Sequence, residues 1–341
     1  MTRKVELNIL IGKSWFTTIL SLWSAQMAAV FVQCIRIITE VVKEFIIQAS
    51  TFYIVIIQYK TVKLDGVNIF FRQAENMKKA TILLLHGFPS SSHMFRNLIK
   101  ELADEYNIIA PDYPGFGNSD QPPIDEFEYT FDNLANVINN FVEGIKLDKY
   151  SIYVHDYGAP VGFRLAVKHP ERIQSIITQN GNAYEEGLLP SWDPIRTYWE
   201  HPTQENKEKL RSLLTADFTK YQYVNGTRNP AVISPDSWNI DQSVLDRLGN
   251  KEIQLALFYD YQNNLKQYAI WQQYFRTYRP PTLVAWGKND IFFATQGALA
   301  FQRDIKDVEV HLLNTGHFPL EEDLDVSVTL IKRFLSERII F

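Results

Sequence analysis

The sequence predicts an α/β protein: a mostly parallel sheet with helices on both faces, interrupted by a helical insertion. Three observations predict it. From Tyr59 onward, short apolar runs alternate with amphipathic stretches of helical period, the pattern of repeated βα units. The alternation breaks between Asn182 and Pro280, where helical spacing and many aromatic residues occur without a strong buried strand. It resumes at Pro281 and runs to a final helix. The expected organisation is therefore a core of residues 59–181 and 281–341, a helical cap of residues 182–280, and a separate extension, residues 1–58.

The elements follow in order. Thr61–Gln73 alternates around Asp65-Gly66, a hairpin turn signal. Thr81–Leu85 is a short apolar strand running into His86-Gly87-Phe88-Pro89, and Met94–Leu102 has helical spacing. Asn107–Ala110 is a second apolar strand, ending in Asp112-Tyr113-Pro114-Gly115-Phe116-Gly117-Asn118-Ser119. Thr130–Ile145 is an amphipathic helix with Leu134, Val137, Ile138, Phe141 and Val142 on one side. Ser151–Val154 reads as a buried strand, His155-Asp156-Tyr157-Gly158 as a sharp turn, and Ala159–Lys168 as a helix. Strand Ile173–Thr178 ends in Gln179-Asn180-Gly181. After the aromatic insertion come strand Pro281–Trp286, ending in Gly287-Lys288-Asn289-Asp290, and helix Thr295–Asp304. Strand Val308–Leu313 then leads to Asn314-Thr315-Gly316-His317-Phe318, and helix Val326–Ser336 closes the core.

The extension differs from the rest. Thr2-Arg3-Lys4 and Lys13 precede an uncharged run from Ser14 to Ile35, long enough to cross a bilayer at ~20 residues. One reading is a signal anchor with a basic flank, holding a cytoplasmic catalytic domain at a membrane. The others are an amphipathic helical extension and translated sequence upstream of the true start. Gln26 and Gln33 weaken the span.

Composition excludes several function classes. The chain has 341 residues, 46% hydrophobic, with a net charge of −5 and no basic cluster beyond pairs such as Lys78-Lys79. Nucleic acid is therefore not an expected partner. Cys34 is the sole cysteine, so no disulfide forms within the chain. The seven histidines are scattered, no two at metal-ligand spacing on a helix, and neither a metal nor a cofactor is expected. Gly115-Phe116-Gly117 follows a strand but lacks the third glycine of a dinucleotide loop, since Asp120 stands there. Ser90–Ser92 sit where a helix begins and are expected to cap it.

A strand, a tight turn and a helix with one reactive side chain at the apex form a nucleophile elbow, here with Asp156 at the apex. Asp156, Asp290 and His317 all fall at the carboxyl ends of expected strands, where ligand sites form in open parallel sheets. Each alone has a bland reading: a helix cap for either aspartate, a loop histidine for His317. Together, in the order nucleophile, acid, base, they point to a catalytic set.

With His86-Gly87-Phe88-Pro89, Val154-His155-Asp156-Tyr157-Gly158, Gly287-Lys288-Asn289-Asp290 and Gly316-His317-Phe318 in place, the chain from Tyr59 onward resembles the α/β-hydrolase fold. It looks most like the branch holding epoxide hydrolases and haloalkane dehalogenases. The resemblance implies that Asp156 attacks a small apolar substrate to form an ester. His317, oriented by Asp290, then activates water to cleave it. It implies an oxyanion hole from the backbone N–H groups of Phe88 and Tyr157. It also implies two cap tyrosines, Tyr198 and Tyr261, donating to an epoxide oxygen. Members of the branch often carry Trp after the nucleophile, where this chain has Tyr157, and dehalogenases often carry Asn or Glu where it has Phe88. Epoxide hydrolysis is thus expected first and dehalogenation second. A binding protein without turnover is the alternative of another class, although it would have no use for the base.

The choice of Asp has a chemical reason. Serine attacking an alkyl carbon would leave an ether, which water does not readily cleave. A carboxylate leaves an ester, which it does, and needs no base in order to attack.

Overall fold

A computed structural model describes residue 24 and residues 27–43, 56–75 and 79–339. The chain divides into two compact units, Met1–Ile54 and Val55–Phe341. In the first, residues 27–43 are helical and their apolar side chains, among them Met27, Phe31 and Ile38, are exposed. No helix among the described residues is long and apolar enough to cross a membrane. Most of the run 14–35 read as an anchor lies outside the described residues.

The second unit is built on an eight-stranded sheet. Its strands are β1 (Ile57–Leu64), β2 (Val67–Ala74), β3 (Thr81–Leu85), β4 (Asn107–Pro111), β5 (Tyr150–His155), β6 (Ile173–Gln179), β7 (Thr282–Gly287) and β8 (Val308–Leu313). The order is β1-β2-β4-β3-β5-β6-β7-β8. β1–β2 and β2–β4 are antiparallel, and the other neighbours are parallel. The β1–β2 hairpin closes through Asp65 and Gly66, with φ of 48° and 89°. Positive φ at both central residues is what a two-residue type I′ turn requires.

The central strands β3 to β7 are largely buried because both faces of the sheet are covered there, whereas β8, at the edge, is mostly half-buried and carries Glu309 and His311. β3 shows the period of two. Leu83 and Leu85 join Phe131, Leu134, Ile138, Phe141, Phe163 and Leu165 on one face. Ile82 and Leu84 join Leu98, Ile99, Leu102, Phe334 and Leu335 on the other. The first face is covered by α2 (Phe131–Gly144) and α3 (Gly158–Lys168), the second by α1 (Arg96–Leu102) and α12 (Leu324–Arg338).

The helices start where the sequence signals them. Thr130 accepts from the Asn133 N–H and caps α2, and Ser91 accepts from the His93 N–H before α1. The segment expected as helix Met94–Leu102 opens with a 3₁₀ turn at Ser92–Phe95 before turning α-helical at Arg96. Asp112 is buried and accepts from the backbone N–H groups of Ser92 and Asn118 at 2.7 Å each, so the loop after β4 is folded onto this carboxylate. The expected serine capping therefore stands, and Gly115-Phe116-Gly117 is a tight turn around Asp112.

Between β6 and β7 the chain forms helices and 3₁₀ turns. These include α4 (Asp193–Glu200), α5 (Gln204–Lys209), α6 (Ala216–Val224), α7 (Pro235–Leu245), α8 (Asn250–Asp260) and α9 (Gln262–Tyr278). α10 (Thr295–Asp304) follows β7, and α11 (Pro319–Glu322) precedes α12.

Candidate active site

β5 ends at His155 and the chain reverses at Asp156, whose φ is 47°. That is left-handed backbone, which aspartate adopts more readily than most residues. Two close approaches surround the turn. A Cβ on Gly158 would lie 2.0 Å from the Leu85 carbonyl oxygen, and one on Gly87 would lie 2.3 Å from Asp156 Cβ. Glycine at both positions lets the end of β3 and the start of α3 converge on Asp156.

The Asp156 carboxylate is held by backbone donors. Oδ1 accepts from the Phe88 N–H at 2.7 Å. The Tyr157 N–H also hydrogen-bonds to the carboxylate. Oδ2 lies 3.9 Å from His317 Nε2, too far for a direct hydrogen bond. On its other side, His317 Nδ1 donates to Asp290 Oδ2 at 2.8 Å. A carboxylate can only accept, so this bond fixes the proton on Nδ1 and leaves Nε2 a free lone pair. Nε2 is buried with no partner among the described residues.

Asp290 is itself anchored twice. The Phe292 N–H donates to Oδ1 at 2.7 Å, and Asn180 Nδ2 donates to Oδ2 at 2.7 Å. Asn180 also accepts from the Gly287 N–H at 2.9 Å, tying the end of β6 to the end of β7. Sequence reasoning marked Asn180 only as the end of a strand. The available signal was an Asn-Gly pair at a strand's carboxyl end, with Asn180 at a φ of 52°.

Electrostatics follow from burial. Asp156 is pushed up to about 6, chiefly by burial, against the opposing pull of His317 and of the Phe88 and Tyr157 N–H groups. Burial lowers His317, but the charges of Asp290 and Asp156 outweigh it and the net direction is upward. The neighbouring His155 is held well below its usual value by burial and by His317. Its Nδ1 lies 2.9 Å from the Gln179 carbonyl oxygen, and its ring is 4.7 Å from that of His317. Burial therefore favours its neutral form, whereas the two carboxylates beside His317 favour the charged form of that ring.

A cavity of about 30 Å³ opens over Asp156. Its walls are mostly apolar, with Phe88, Trp192, Ile195, Phe218, Phe258 and Phe292 among them; Tyr157, Ser191 and Gln222 are its other polar members. Room for one or two waters in an apolar wall suits a small uncharged ligand.

The structure brings Asp156, Asp290, His317, Phe88 and Tyr157 together, and it treats the two cap tyrosines differently. Tyr261 is buried, its ring 6.1 Å from that of Tyr157 and 4.4 Å from that of Trp192. Its hydroxyl is engaged with Tyr268, which also accepts from Asn182 Nδ2 at 3.2 Å. Tyr198 is half-buried, packs on Tyr259 at 5.1 Å, and does not line the cavity. On the same helix Ile195 lines the cavity, and Trp199, four residues on, stacks parallel to Tyr261. Among the described residues no cluster of His, Cys, Asp and Glu could hold a metal ion.

Comparison with known proteins agrees with this architecture. Residues 80–324 match the family model described as the alpha/beta hydrolase fold. YNR064C, an uncharacterized hydrolase of Saccharomyces cerevisiae, is 44% identical over 262 residues, covering 75% of this chain and 89% of that protein. Epoxide hydrolase 1 of Caenorhabditis elegans is 24% identical over 292 residues, covering 81% of this chain and 70% of that protein. Among solved structures, a mutant of the haloalkane dehalogenase DatA of Agrobacterium tumefaciens superposes with a TM-score of 0.70 at 20% identity, covering 82% of this chain and 97% of that one. The strand order, the elbow at Asp156 and a family match across most of the second unit lead to one conclusion: the chain belongs to the α/β-hydrolase fold family.

Proposed function

We propose that this chain hydrolyses a small apolar substrate at a saturated carbon through an ester on Asp156, and that the electrophile is an epoxide. One observation carries the mechanism. Asp156 Oδ1 takes a backbone donor at 2.7 Å while Oδ2 faces the unpartnered His317 Nε2 at 3.9 Å. Oδ2 attacks the carbon, and the C–O bond of the epoxide opens onto its oxygen. Oδ1 becomes the ester carbonyl oxygen, already bonded to the donors that will hold an oxyanion. Water then fits the gap between Nε2 and the ester. His317 takes its proton, the resulting hydroxide adds to the carbonyl carbon, and collapse expels the ester oxygen, which takes that proton back from His317; the second water proton, left on the Asp156 carboxyl, balances the alkoxide formed on ring opening, so the diol leaves neutral and Asp156 is again ionised. The helices of residues 182–280 act as the cap that excludes bulk water.

The epoxide reading is supported by a phenol in the cavity wall. Tyr157 lines the cavity and its hydroxyl is buried without a partner among the described residues. An opened epoxide ends as an alkoxide and needs such a donor. A second reading, halide release from a haloalkane, is favoured by a different observation: Tyr198 does not line the cavity and the Tyr261 hydroxyl is occupied by Tyr268. One experiment tests both. The His317→Gln protein is mixed with 1,2-epoxybutane or 1-bromobutane, and the peptide containing Asp156 is weighed. The expected result is a stable adduct carrying the whole epoxide mass. An adduct with butyl only, formed with bromide release, selects the second reading. An alkyl adduct on another residue with none on the Asp156 peptide overturns both.

The run 14–35 is proposed as a membrane anchor. If it is one, the full-length chain sediments with membranes and resists alkaline extraction.

A further inference from the structure

We propose that Gln222 donates from its side-chain amide to the atom that leaves when Asp156 attacks. The inference rests on the Asp156 mechanism above and extends it to the leaving group. When Oδ2 forms its bond to carbon, the bond to the leaving atom breaks and the electron pair stays on that atom. In an apolar cavity this charge requires a hydrogen-bond donor. The backbone donors of Phe88 and Tyr157 are already given to the Asp156 carboxylate. In the neutral form that the mechanism uses, His317 donates its one proton to Asp290 and can only accept at Nε2.

The remaining polar groups around the cavity are soon exhausted. Ser191 Oγ donates to the Ile291 carbonyl at 2.5 Å, and Trp192 Nε1 donates to the Phe292 carbonyl at 3.1 Å. That leaves Tyr157 and Gln222, both lining the cavity with a buried, unpartnered polar atom among the described residues. Tyr157 belongs to the elbow, so its hydroxyl moves only with the nucleophile. Gln222 comes from α6, a helix of the insertion, and faces Asp156 from outside the core.

Packing on both sides of α6 positions Gln222. Phe218 and Gln222 are four residues apart, so they share one face of α6, and both line the cavity. The next face is locked to α7: Thr219 donates to Gln242 at 2.8 Å, and Tyr223 donates to Asp241 at 2.5 Å. Tyr223 also stacks on Phe318, beside His317, with centroids 4.0 Å apart. Gln222 is 1% exposed. A buried amide donor without an acceptor costs about 1–3 kcal/mol, so a protein that keeps one over its nucleophile gains only if something entering the cavity accepts from it. An uncharged donor fits an epoxide oxygen or a halide alike.

The test separates the two half-reactions. The probes are 1,2-epoxybutane, 1-chlorobutane and 1-iodobutane. Adduct formation on Asp156 is timed in His317→Gln and in His317→Gln/Gln222→Leu. Hydrolysis of the adduct is timed in the single variant Gln222→Leu. The expected result is adduct formation slowed by ~10²-fold, with hydrolysis of the formed ester unchanged. Where halobutanes react, the loss should be greater for chloride than for iodide, the weaker acceptor. The melting temperature of Gln222→Leu should match or exceed that of the parent, because an unpartnered donor is removed; a lower one would show that the amide is structural and overturn the proposal. So would equal slowing of both half-reactions, slowing of hydrolysis alone, or unchanged adduct formation. If no probe labels Asp156 in either protein, the Asp156 mechanism itself fails and the proposal falls with it.

Discussion

Asp156 has to satisfy two opposing demands. As the proposed nucleophile it must be ionised, yet burial raises it to about 6. Below that pH the carboxyl carries its proton and cannot attack. The first half-reaction should therefore fall about tenfold per pH unit below 6 and level off above it. His317 is also raised, and as a base it must be neutral, so loss of the second half-reaction lies on the acid side too. A kcat/KM profile checks this; a flat profile from pH 5 to 8 would contradict it. Asp156→Asn should abolish turnover with the fold intact, since the amide has nearly the same shape and is a poor nucleophile. Activity persisting with no reversion to Asp by mass spectrometry would remove Asp156 from the mechanism. Asn180→Ala acts on Asp290 instead. It strips one donor from the acid and orphans the Gly287 N–H, and should cost about 1–3 kcal/mol in denaturant unfolding. An unchanged midpoint would mean that water replaces the amide.

At the scale of elements, the site depends on how closely β3 and α3 approach. The Phe88 N–H comes from the loop after β3, and Asp156 from the turn before α3. A methyl group at position 158 would sit 2.0 Å from the Leu85 oxygen, so Gly158→Ala must push α3 away from β3. Forcing a methyl into a packed core typically costs about 1–3 kcal/mol. Here the displacement also pulls the Phe88 N–H off Asp156 Oδ1. Activity should therefore fall further than stability, as read from kcat/KM against the denaturant midpoint; a variant with both unchanged would show that the approach is not needed. This geometry was legible in the sequence because an acidic residue just after an apolar strand, with glycine two positions on, is the pattern of a tight strand-to-helix turn. The insertion was less legible. Ile195 and Trp199 share a helix face, and Trp199, rather than its neighbour Tyr198, stacks on Tyr261. Adjacent aromatics give no periodic signal to say which one faces inward. Gln222 was invisible for the same reason, since a lone glutamine on a helix reads as surface until its neighbours are known.

For the whole molecule, the question is what the first unit contributes. Alternation of apolar strands and amphipathic helices revealed the sheet because the central parallel strands are largely buried on both faces and read as mostly apolar runs. It did not reveal the strand order, because the spatial exchange of β3 and β4 leaves no periodic trace in the sequence. Residues 1–58 gave composition without a pattern, and the helix at 27–43 exposes Val30, Phe31, Val41 and Val42 to its surroundings. The second unit begins at Val55, two residues before β1, and every strand of the sheet and every residue of the candidate site lies within it. Among the described residues, a chain beginning at Val55 keeps every strand, every cavity-lining residue and every hydrogen bond named above for Asp156, Asp290 and His317. Its denaturant midpoint and its rate of adduct formation should therefore equal those of the full-length protein. A lower midpoint in the shortened chain would show that the first unit stabilises the second. An equal midpoint with slower adduct formation would show instead that the extension helps deliver an apolar substrate to the cavity.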